Sequence, residues 1–171
     1  MRDFKTYQLK PLIVKANDDL RQEVLAMQLL KRFQQIFKQA NLNIYLRCYE
    51  IFITSSNSGM IEFIPDTASI DGLKKKFPKP RVGQKPWTLR TFYEKYFREN
   101  FEEAQKNFVE SLAGYCLFNY IFNVKDRHNG NIMIDAKGHL VHIDYGFMLQ
   151  SSPGGIAFEG APFKLTQEYI D

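Results

Sequence analysis

Apolar positions in the first third of the chain predict a strand, a helix and a hairpin. An apolar run within residues 7–16 predicts a strand. The acidic pair at residues 18–19 suits a helix N-terminus, and apolar side chains then recur at helical spacing to about residue 39. Residues 44–55 and 59–64 flank the turn-rich sequence SSNSG and predict a β-hairpin.

The second half of the chain predicts two helices and a second hairpin. Residues 89–97 and 101–122 have helical patterns, and the second of these helices becomes mostly apolar toward its end. Residues 131–146 predict a hairpin whose turn is DAKG. This order of elements predicts an α+β protein of two lobes with a cleft between them.

Composition favours a cytosolic globular protein. A chain of 171 residues that is 44% hydrophobic can bury a core, so we expect one domain or two small lobes. Cys48 and Cys116 lie far apart in apolar segments, which indicates buried thiols in a reducing compartment. The polar start is no secretory signal, and no apolar run reaches the ~18 residues of a membrane span. We therefore expect any membrane contact to be peripheral.

Positive charge is concentrated in one segment. The whole chain has a formal charge of +4. Residues 71–90 contain one acidic residue, Asp71, and seven basic residues: Lys74, Lys75, Lys76, Lys79, Arg81, Lys85 and Arg90. The prolines of this segment predict a loop or linker, either a solvated connector or a patch that meets anionic lipid or another polyanion. Nucleic acid is disfavoured, because the aromatic residues are not interleaved with the cations.

The sequence VKDRHNGNIMIDAKGHLVHIDYG, residues 124–146, concentrates groups suited to cation binding and proton transfer. Asp126 and Asn131 share one loop, and the predicted hairpin returns Asp144 beside them. Two carboxylates and an amide oxygen are hard ligands that suit Mg²⁺ with bound phosphates. Zinc is disfavoured, because His139 and His142 are three apart on a strand and point to opposite faces.

The three histidines of this stretch have different expected roles. His128 follows Asp126 closely and is available for proton transfer or for stabilising charge on a transferred group. For His139 we expect a surface turn residue, and for His142 a structural residue of the strand.

Phosphoryl transfer also needs a cation close to the nucleotide phosphates. Lys15 ends the first predicted strand, and Glu23 lies on the helix that follows. Protein kinases use a strand lysine paired with a helix carboxylate to orient the ATP phosphates. The sequence therefore predicts a Lys15–Glu23 pair.

Several motifs together resemble the phosphatidylinositol 3- and 4-kinase superfamily. They are VKDRHNGNIMID followed by HIDYGF, with IVKANDDLRQE upstream and SGMIEFI between. The catalytic-loop order DRHxxN, in place of HRDxxxxN, separates this superfamily from ordinary protein kinases. VKDRHNGNIM, SSPG and the closing FKLTQEYID most resemble the catalytic domain of type III phosphatidylinositol 4-kinases, particularly the beta type.

The resemblance implies a bilobal, protein-kinase-like fold that is incomplete at both ends. Residues 1–65 would be part of the N-terminal lobe with the hinge, and residues 66–171 part of the C-terminal lobe. The family has a Ser- or Gly-bearing phosphate-binding hairpin before the lysine strand, whereas MRDFKTYQL has neither residue. Three hypotheses follow: a phosphatidylinositol 4-kinase domain, a 3-kinase or related protein kinase, and a nonenzymatic nucleotide- or lipid-binding module.

For the nucleotide, the resemblance implies roles for five residues. Lys15 would contact the ATP phosphates, with Glu23 holding it, and Tyr49 would line the back of the pocket. Glu62 and Ile64 would form the hinge, the first offering its backbone carbonyl to the adenine amino group and the second its backbone N–H to the ring.

For catalysis, the resemblance implies roles for four residues. Asp126 and His128 would serve the attacking inositol hydroxyl and the transferred phosphoryl group, and either could be the base. Asn131 and Asp144 would hold Mg²⁺. Tyr145 stands where the superfamily usually has Phe.

The activation loop implied by the resemblance, residues 145 to about 165, indicates the lipid substrate. From residue 145 to residue 163 it contains no Lys or Arg and one acid, Glu159. An additional inositol phosphate would need cations there, so the composition favours plain phosphatidylinositol. The resemblance further implies a cytoplasmic protein, peripheral on the cytosolic face of internal membranes.

Overall fold

The computed structural model describes residues 9–151 and 164–170, which form six strands and five α-helices. In chain order these are β1 Leu12–Ala16, α1 Arg21–Gln39, β2 Ile51–Ser55, β3 Ser58–Glu62, β4 Thr67–Ser69, α2 Ile70–Lys76, α3 Leu89–Phe97, α4 Phe101–Phe122, β5 Ile132–Asp135, β6 Leu140–His142 and α5 Gln167–Ile170. A short 3₁₀ turn, Arg98–Asn100, joins α3 to α4. The mixture of helices and strands agrees with the predicted α+β class.

The strands form two antiparallel sheets of three strands each. The first has the order β1-β3-β2 and contains the predicted first hairpin. The second has the order β4-β5-β6, so that the predicted second hairpin gains β4 as an additional strand. In its register Thr67 lies opposite Asp135 and Ser69 opposite Met133.

The strand predicted over residues 44–55 is wrong in its first seven residues, because β2 begins only at Ile51. In the middle of the preceding segment, backbone groups of Leu46 and Arg47 bind side chains of α1 and α4. Gln34 donates to the carbonyl oxygen of Leu46 at 2.7 Å, and the Tyr115 hydroxyl accepts from the backbone N–H of Arg47 at 3.0 Å. Leu46 and Tyr49 are thereby buried without β pairing.

Helix α1 begins later than the acidic pair predicts. The residue at its N-cap position is Leu20, which makes no side-chain cap. Asp19 accepts a hydrogen bond from the backbone N–H of Arg21 at 3.1 Å, whereas the carboxylate of Asp18 binds Lys15. Thus only one of the two acids serves the first turn of the helix.

The prediction of a linker over residues 71–90 is wrong at its beginning, where α2 forms. Ser69 caps this helix by accepting from the backbone N–H of Gly72 at 3.0 Å, and Ile70 is fully buried. Three lysines in the last turn lie where the helix dipole favours positive charge. A helix of seven residues with a single buried residue shows no helical period, which is why the sequence pattern missed it.

Helices α3 and α4 have the predicted bounds. The Thr88 hydroxyl caps α3, and Asn123, in the left-handed conformation at φ 46°, ends α4. Among the described residues, no helix has the length and apolar character needed to cross a membrane. Cys48 and Cys116 are free thiols. Both are half-buried, and neither is as buried as expected.

The core joins α1, α4 and the second sheet. Its largest fully buried side chains are Tyr115, Tyr145, Phe118, Leu30, Ile70, Ile132, Leu140 and Met148. His142 belongs to this core, since its ring stacks on that of Tyr115 with centroids 4.3 Å apart and Asn119 lies 3.3 Å from its Nδ1. Burial holds the pKa of His142 well below its ordinary value, so the ring is neutral. Its predicted structural role is confirmed.

The prediction for His139 is wrong, because this residue is not a free surface turn residue. Its side chain is only 12% exposed. The Nδ1 atom lies 2.9 Å from Oδ2 of Asp135, and the ring stacks on Tyr45 with centroids 3.8 Å apart. The turn folds back on segment 44–50, a contact that the local sequence does not reveal.

Candidate active site

A cavity of about 150 Å³ lies between the two sheets. The first sheet, α1, the segment after β3, the second sheet and the segment after β6 all contribute to its wall. Its lining contains all five predicted nucleotide-binding residues and one predicted metal ligand; it consists of Ile13, Lys15, Glu23, Tyr49, Ile61, Glu62, Phe63, Ile64, Thr67, Met133, Ile143 and Asp144. Residues as far apart in the chain as Ile13 and Asp144 are thus brought to one place by the fold.

The predicted pair of Lys15 and Glu23 is not formed. Instead, Nζ of Lys15 binds Oδ2 of Asp18 at 3.2 Å. Burial lowers the pKa of Lys15, but the hydrogen bond to Asp18 and the charge of Asp144 more than offset this effect, so the net shift is upward. The ammonium group therefore remains charged at the cavity wall.

Glu23 is held by Tyr49 at the back of the cavity. The Tyr49 hydroxyl donates to Oε1 of Glu23 at 2.5 Å, and both residues are buried. Burial raises the pKa of the Glu23 carboxyl above its ordinary value, although the hydrogen bond from Tyr49 lowers it in part. The Tyr49 contact and the Asp18 contact of Lys15 together explain why the predicted ion pair is absent here.

The predicted hinge is fixed through Glu62. Its backbone N–H donates to the carbonyl oxygen of Glu50 at 2.8 Å, and its carboxylate accepts from Arg47 at 3.1 Å and from the backbone N–H of Glu50 at 2.9 Å. The carbonyl oxygen of Ile64 accepts from the Thr67 hydroxyl at 2.9 Å. These contacts hold residues 62–64 at the edge of the cavity in one conformation.

The predicted catalytic loop is organised around Asp126. This residue has a left-handed backbone at φ 60°, and Asn131 donates from Nδ2 to its backbone oxygen at 3.1 Å and to Oδ2 at 3.4 Å. His128 Nε2 lies 3.9 Å from the same carboxylate. Because Nδ1 of His128 accepts the Gly130 N–H at 3.0 Å, the proton of the neutral ring is on Nε2.

Asp144 lies beside this loop. The backbone N–H of Ile143 donates to the carbonyl oxygen of Asn131 at 3.1 Å, which ties the two segments together. Asp144 has φ 60°, and its Oδ1 accepts from the Gly146 N–H at 3.4 Å. Since Nδ2 of Asn131 is used within the loop, the oxygen of this amide is the atom that can face a cation. Asp126, Asn131 and Asp144 thus offer hard oxygen donors, which fit Mg²⁺.

Arg127 is a residue of the site that the sequence patterns missed. Its guanidinium, in a residue only 7% exposed, donates to three backbone oxygens, those of Lys125 at 3.0 Å, Ile143 at 2.8 Å and Asp144. It also lies over the ring of Tyr145, 5.3 Å from the centroid. Arg127 therefore joins the catalytic loop to the Asp144 segment. The sequence offers no signal that distinguishes it from a solvated arginine.

Two segments that the sequence predictions concern lie outside the described residues: most of the predicted activation loop and the N-terminal segment. This concerns residues 152–163, which include Glu159, and residues 1–8, where the family has its phosphate-binding hairpin.

A cleft between two sheets, with a lysine and carboxylates along its wall and a DRH loop beside an Asp-Tyr-Gly segment, defines a kinase-like class of site. The sequence model of the family described as "Phosphatidylinositol 3- and 4-kinase" matches residues 10–171. The chain belongs to this family.

Individual members of this family that are similar in sequence to the chain are named as phosphatidylinositol 4-kinases. The chain is 51% identical over 168 residues to phosphatidylinositol 4-kinase beta 2 of Arabidopsis thaliana and 49% identical over 173 residues to a phosphatidylinositol 4-kinase of Dictyostelium discoideum. It is 46% identical over 165 residues to phosphatidylinositol 4-kinase beta of Sorex araneus. These alignments cover 96%, 99% and 96% of this chain, but only 14%, 14% and 20% of the respective relatives.

Proposed function

We propose that this chain is the nucleotide- and metal-binding part of a lipid kinase that transfers the γ-phosphate of ATP to the 4-hydroxyl of phosphatidylinositol. The observation that carries the proposal is the single cavity that contains Lys15, Glu23, residues 62–64 and Asp144. In this proposal the two sheets belong to the two lobes of a kinase-like fold, residues 1–65 and 66–171, and the cavity is the nucleotide cleft.

The nucleotide would lie against both the hinge and the lysine. The Glu62 carbonyl oxygen and the Ile64 N–H would bind the adenine, and the ordered contacts of residues 62–64 support this role. The charged Lys15 would bind the phosphates, and Tyr49 would close the back of the cleft. Glu23 would bind Lys15 if it exchanged its Tyr49 partner for the ammonium group.

The cation site would be formed by Asn131 and Asp144. When bound, Mg²⁺ offsets the phosphate charges and polarises the transferred group. Arg127 fixes the spacing of the two ligand segments through its backbone contacts.

Proton transfer would be divided between the two other residues of the loop. His128 carries its proton on Nε2, so it is suited to donate a hydrogen bond to the transferred phosphoryl group. Asp126, held by Asn131, is then the group that accepts the proton of the inositol hydroxyl. The Gly130 contact, which occupies the other ring nitrogen of His128, supports this assignment.

The lipid substrate would be plain phosphatidylinositol, reached by peripheral contact with the cytosolic face of internal membranes. The absence of Lys and Arg from residues 145–163 supports the unphosphorylated head group. The position of transfer, the 4-hydroxyl, is supported by the names of the relatives.

The decisive experiment is a lipid kinase assay. The protein would be incubated with ATP, Mg²⁺ and vesicles that contain phosphatidylinositol, and the position of the new phosphate would be determined by chromatography of the deacylated product. The proposal predicts phosphatidylinositol 4-phosphate. Product phosphorylated at position 3 would contradict the 4-kinase assignment but leave the lipid kinase assignment intact, and no product at all would contradict both.

A further inference from the structure

A closed loop projects from the protein between α2 and α3. We define the basic loop as residues 76–86; residues 78–86 are all exposed. Its base is closed by Phe77 and Trp87, whose ring centroids are 5.7 Å apart, and Nζ of Lys95 lies 4.4 Å from the centroid of the Trp87 ring. The loop is therefore anchored at both ends by aromatic contacts, which a simple connector does not need.

The tip of the basic loop is a tight turn with an apolar end. The backbone N–H of Gln84 donates to the carbonyl oxygen of Arg81 at 2.9 Å, and Gly83 has the left-handed φ of 81° that this turn uses. Val82, between these residues, has a relative exposure of 108%. The turn thus holds an aliphatic side chain at the outermost point of the loop, next to a guanidinium group.

In the described part of the chain, the cations of the basic loop have no acidic partners, unlike the two lysines that precede it. Lys74 and Lys75, which precede the loop in α2, form salt bridges with Glu168 and Asp71. Within residues 9–151 and 164–170, no carboxylate lies at salt-bridge distance from the four cations of the loop: Lys76, Lys79, Arg81 and Lys85. The loop therefore presents four positive charges that the described part of the protein leaves uncompensated.

The basic loop begins close to the predicted catalytic loop. The backbone N–H of Asp71, at the start of α2, donates to the carbonyl oxygen of Asn129 at 2.9 Å. Glu168, the partner of Lys74, also accepts from Nδ2 of Asn129 at 3.3 Å. With a rise of 1.5 Å per residue, the five helical steps from Asp71 to Lys76 span only about 7.5 Å.

We propose that the basic loop is a docking surface for an anionic membrane, which it would contact with its four cations and with Val82. The proposal rests on the proposed function, since a lipid kinase must bring its catalytic loop to a bilayer. Charge complementarity favours a surface rich in phosphatidylserine, and the exposed valine favours a surface with an apolar interior. A binding site for single-stranded nucleic acid would offer exposed aromatics, whereas Phe77 and Trp87 are engaged with each other at the base of the loop.

The test compares two variants that lose the same charge. The first replaces two lysines and one arginine of the loop, Lys76→Gln, Lys79→Gln and Arg81→Gln. The control replaces two lysines and one arginine that are exposed on α1, Lys31→Gln, Arg32→Gln and Lys38→Gln. Sedimentation with vesicles of phosphatidylcholine and phosphatidylserine, which contain no phosphatidylinositol, measures binding without any requirement for turnover.

We expect the loop variant to bind phosphatidylserine vesicles roughly 10- to 100-fold more weakly at low salt, since each cation near an anionic surface contributes about fivefold. The control variant should change binding by less than about threefold, and high salt should remove most of the difference. Val82→Ser should weaken binding at both low and high salt, because salt does not screen an apolar contact. Equal losses in the two charge variants, or no loss in either, would overturn the proposal.

Two further measurements separate docking from catalysis. Activity toward phosphatidylinositol at a low mole fraction in neutral detergent micelles should be the same in the wild type and the loop variant, because such micelles carry little negative charge. If the wild type is active in micelles but the loop variant binds vesicles as tightly as the wild type, the docking proposal is contradicted and the proposed function is not. If the loop variant loses vesicle binding but the wild type is inactive in micelles, the proposed function is contradicted and the docking proposal is not. Tight loop-dependent binding to RNA, with no binding to vesicles, identifies a different polyanion and overturns the membrane proposal.

Discussion

Arg127 donates from Nη1 to the backbone carbonyl oxygen of Ile143 at 2.8 Å, and this bond joins the two segments that carry the proposed metal ligands. The same guanidinium binds the carbonyl oxygens of Lys125 and Asp144. One buried cation thus sets the distance between the catalytic loop and the residues after β6.

Replacement of Arg127 with Met should be strongly destabilising. It leaves three backbone oxygens without their donor in a buried place, so we expect a loss of about 2–4 kcal/mol in the free energy of unfolding. Urea denaturation measures this loss. Arg32→Met, at an exposed arginine of α1, should cost under about 0.5 kcal/mol, and similar losses in both variants would contradict the role of Arg127.

Asp144→Asn should reduce lipid kinase activity by ~10³-fold or more if this carboxylate holds Mg²⁺, with little change in melting temperature. Asn tolerates the left-handed conformation at φ 60°, so the backbone is preserved. Asp66→Asn is the matched control, because Asp66 is exposed and has a similar φ of 53°. Near-wild-type turnover by Asp144→Asn would exclude this residue as the metal ligand.

Glu23 should make stability depend on pH. Its pKa in the folded protein is raised above the ordinary value of 4.5, mainly by burial, so the folded state binds a proton more tightly than the unfolded state. The contribution is fully present below about pH 4.5 and is lost as the pH rises through the folded pKa. Glu23→Gln, which keeps an acceptor for Tyr49, should gain in relative stability as the pH rises from 4 to 7. Parallel melting-temperature profiles of wild type and variant would exclude this linkage.

Tyr145→Phe should stabilise the protein by about 1 kcal/mol. The Tyr145 side chain is fully buried, and among the described residues its hydroxyl has no hydrogen-bond partner. Phe keeps the ring against Phe118 and under Arg127 and removes only the unpaired hydroxyl. Thermal and urea denaturation measure the change; a loss of stability would mean that this hydroxyl has a partner, such as a buried water.

If the chain acts as proposed, it should prefer phosphatidylinositol to phosphatidylinositol 5-phosphate, which also has a free 4-hydroxyl, by orders of magnitude. Residues 145–163 offer no cation to an additional phosphate, and Glu159 would repel it. Desolvating such a phosphate without a partner should cost several kcal/mol. Initial rates on the two lipids, each in neutral detergent micelles, measure the ratio. Equal or faster turnover of phosphatidylinositol 5-phosphate would contradict the charge argument.

Local patterns and family motifs were enough to predict the longer elements and six of the twelve residues that line the cavity. Helices α3 and α4 have long apolar periods, and the hairpin turn DAKG has strong turn chemistry, so neighbouring residues alone determine them. Lys15, Glu23 and Asp144 were predicted by motif because their spacing is characteristic of kinases, and the fold brings all three to one cavity.

The partners of those residues were decided only by tertiary structure. Lys15 binds Asp18 and Glu23 binds Tyr49, because burial and the positions of α1 and segment 44–50 determine which donor reaches which carboxylate. Segment 44–50 has strand-like composition, but its residues Leu46 and Arg47 bind side chains of α1 and α4, and Glu50 pairs with Glu62 of β3. Sequence specifies which groups are present, whereas distance and desolvation, which only the folded chain defines, determine which of them pair.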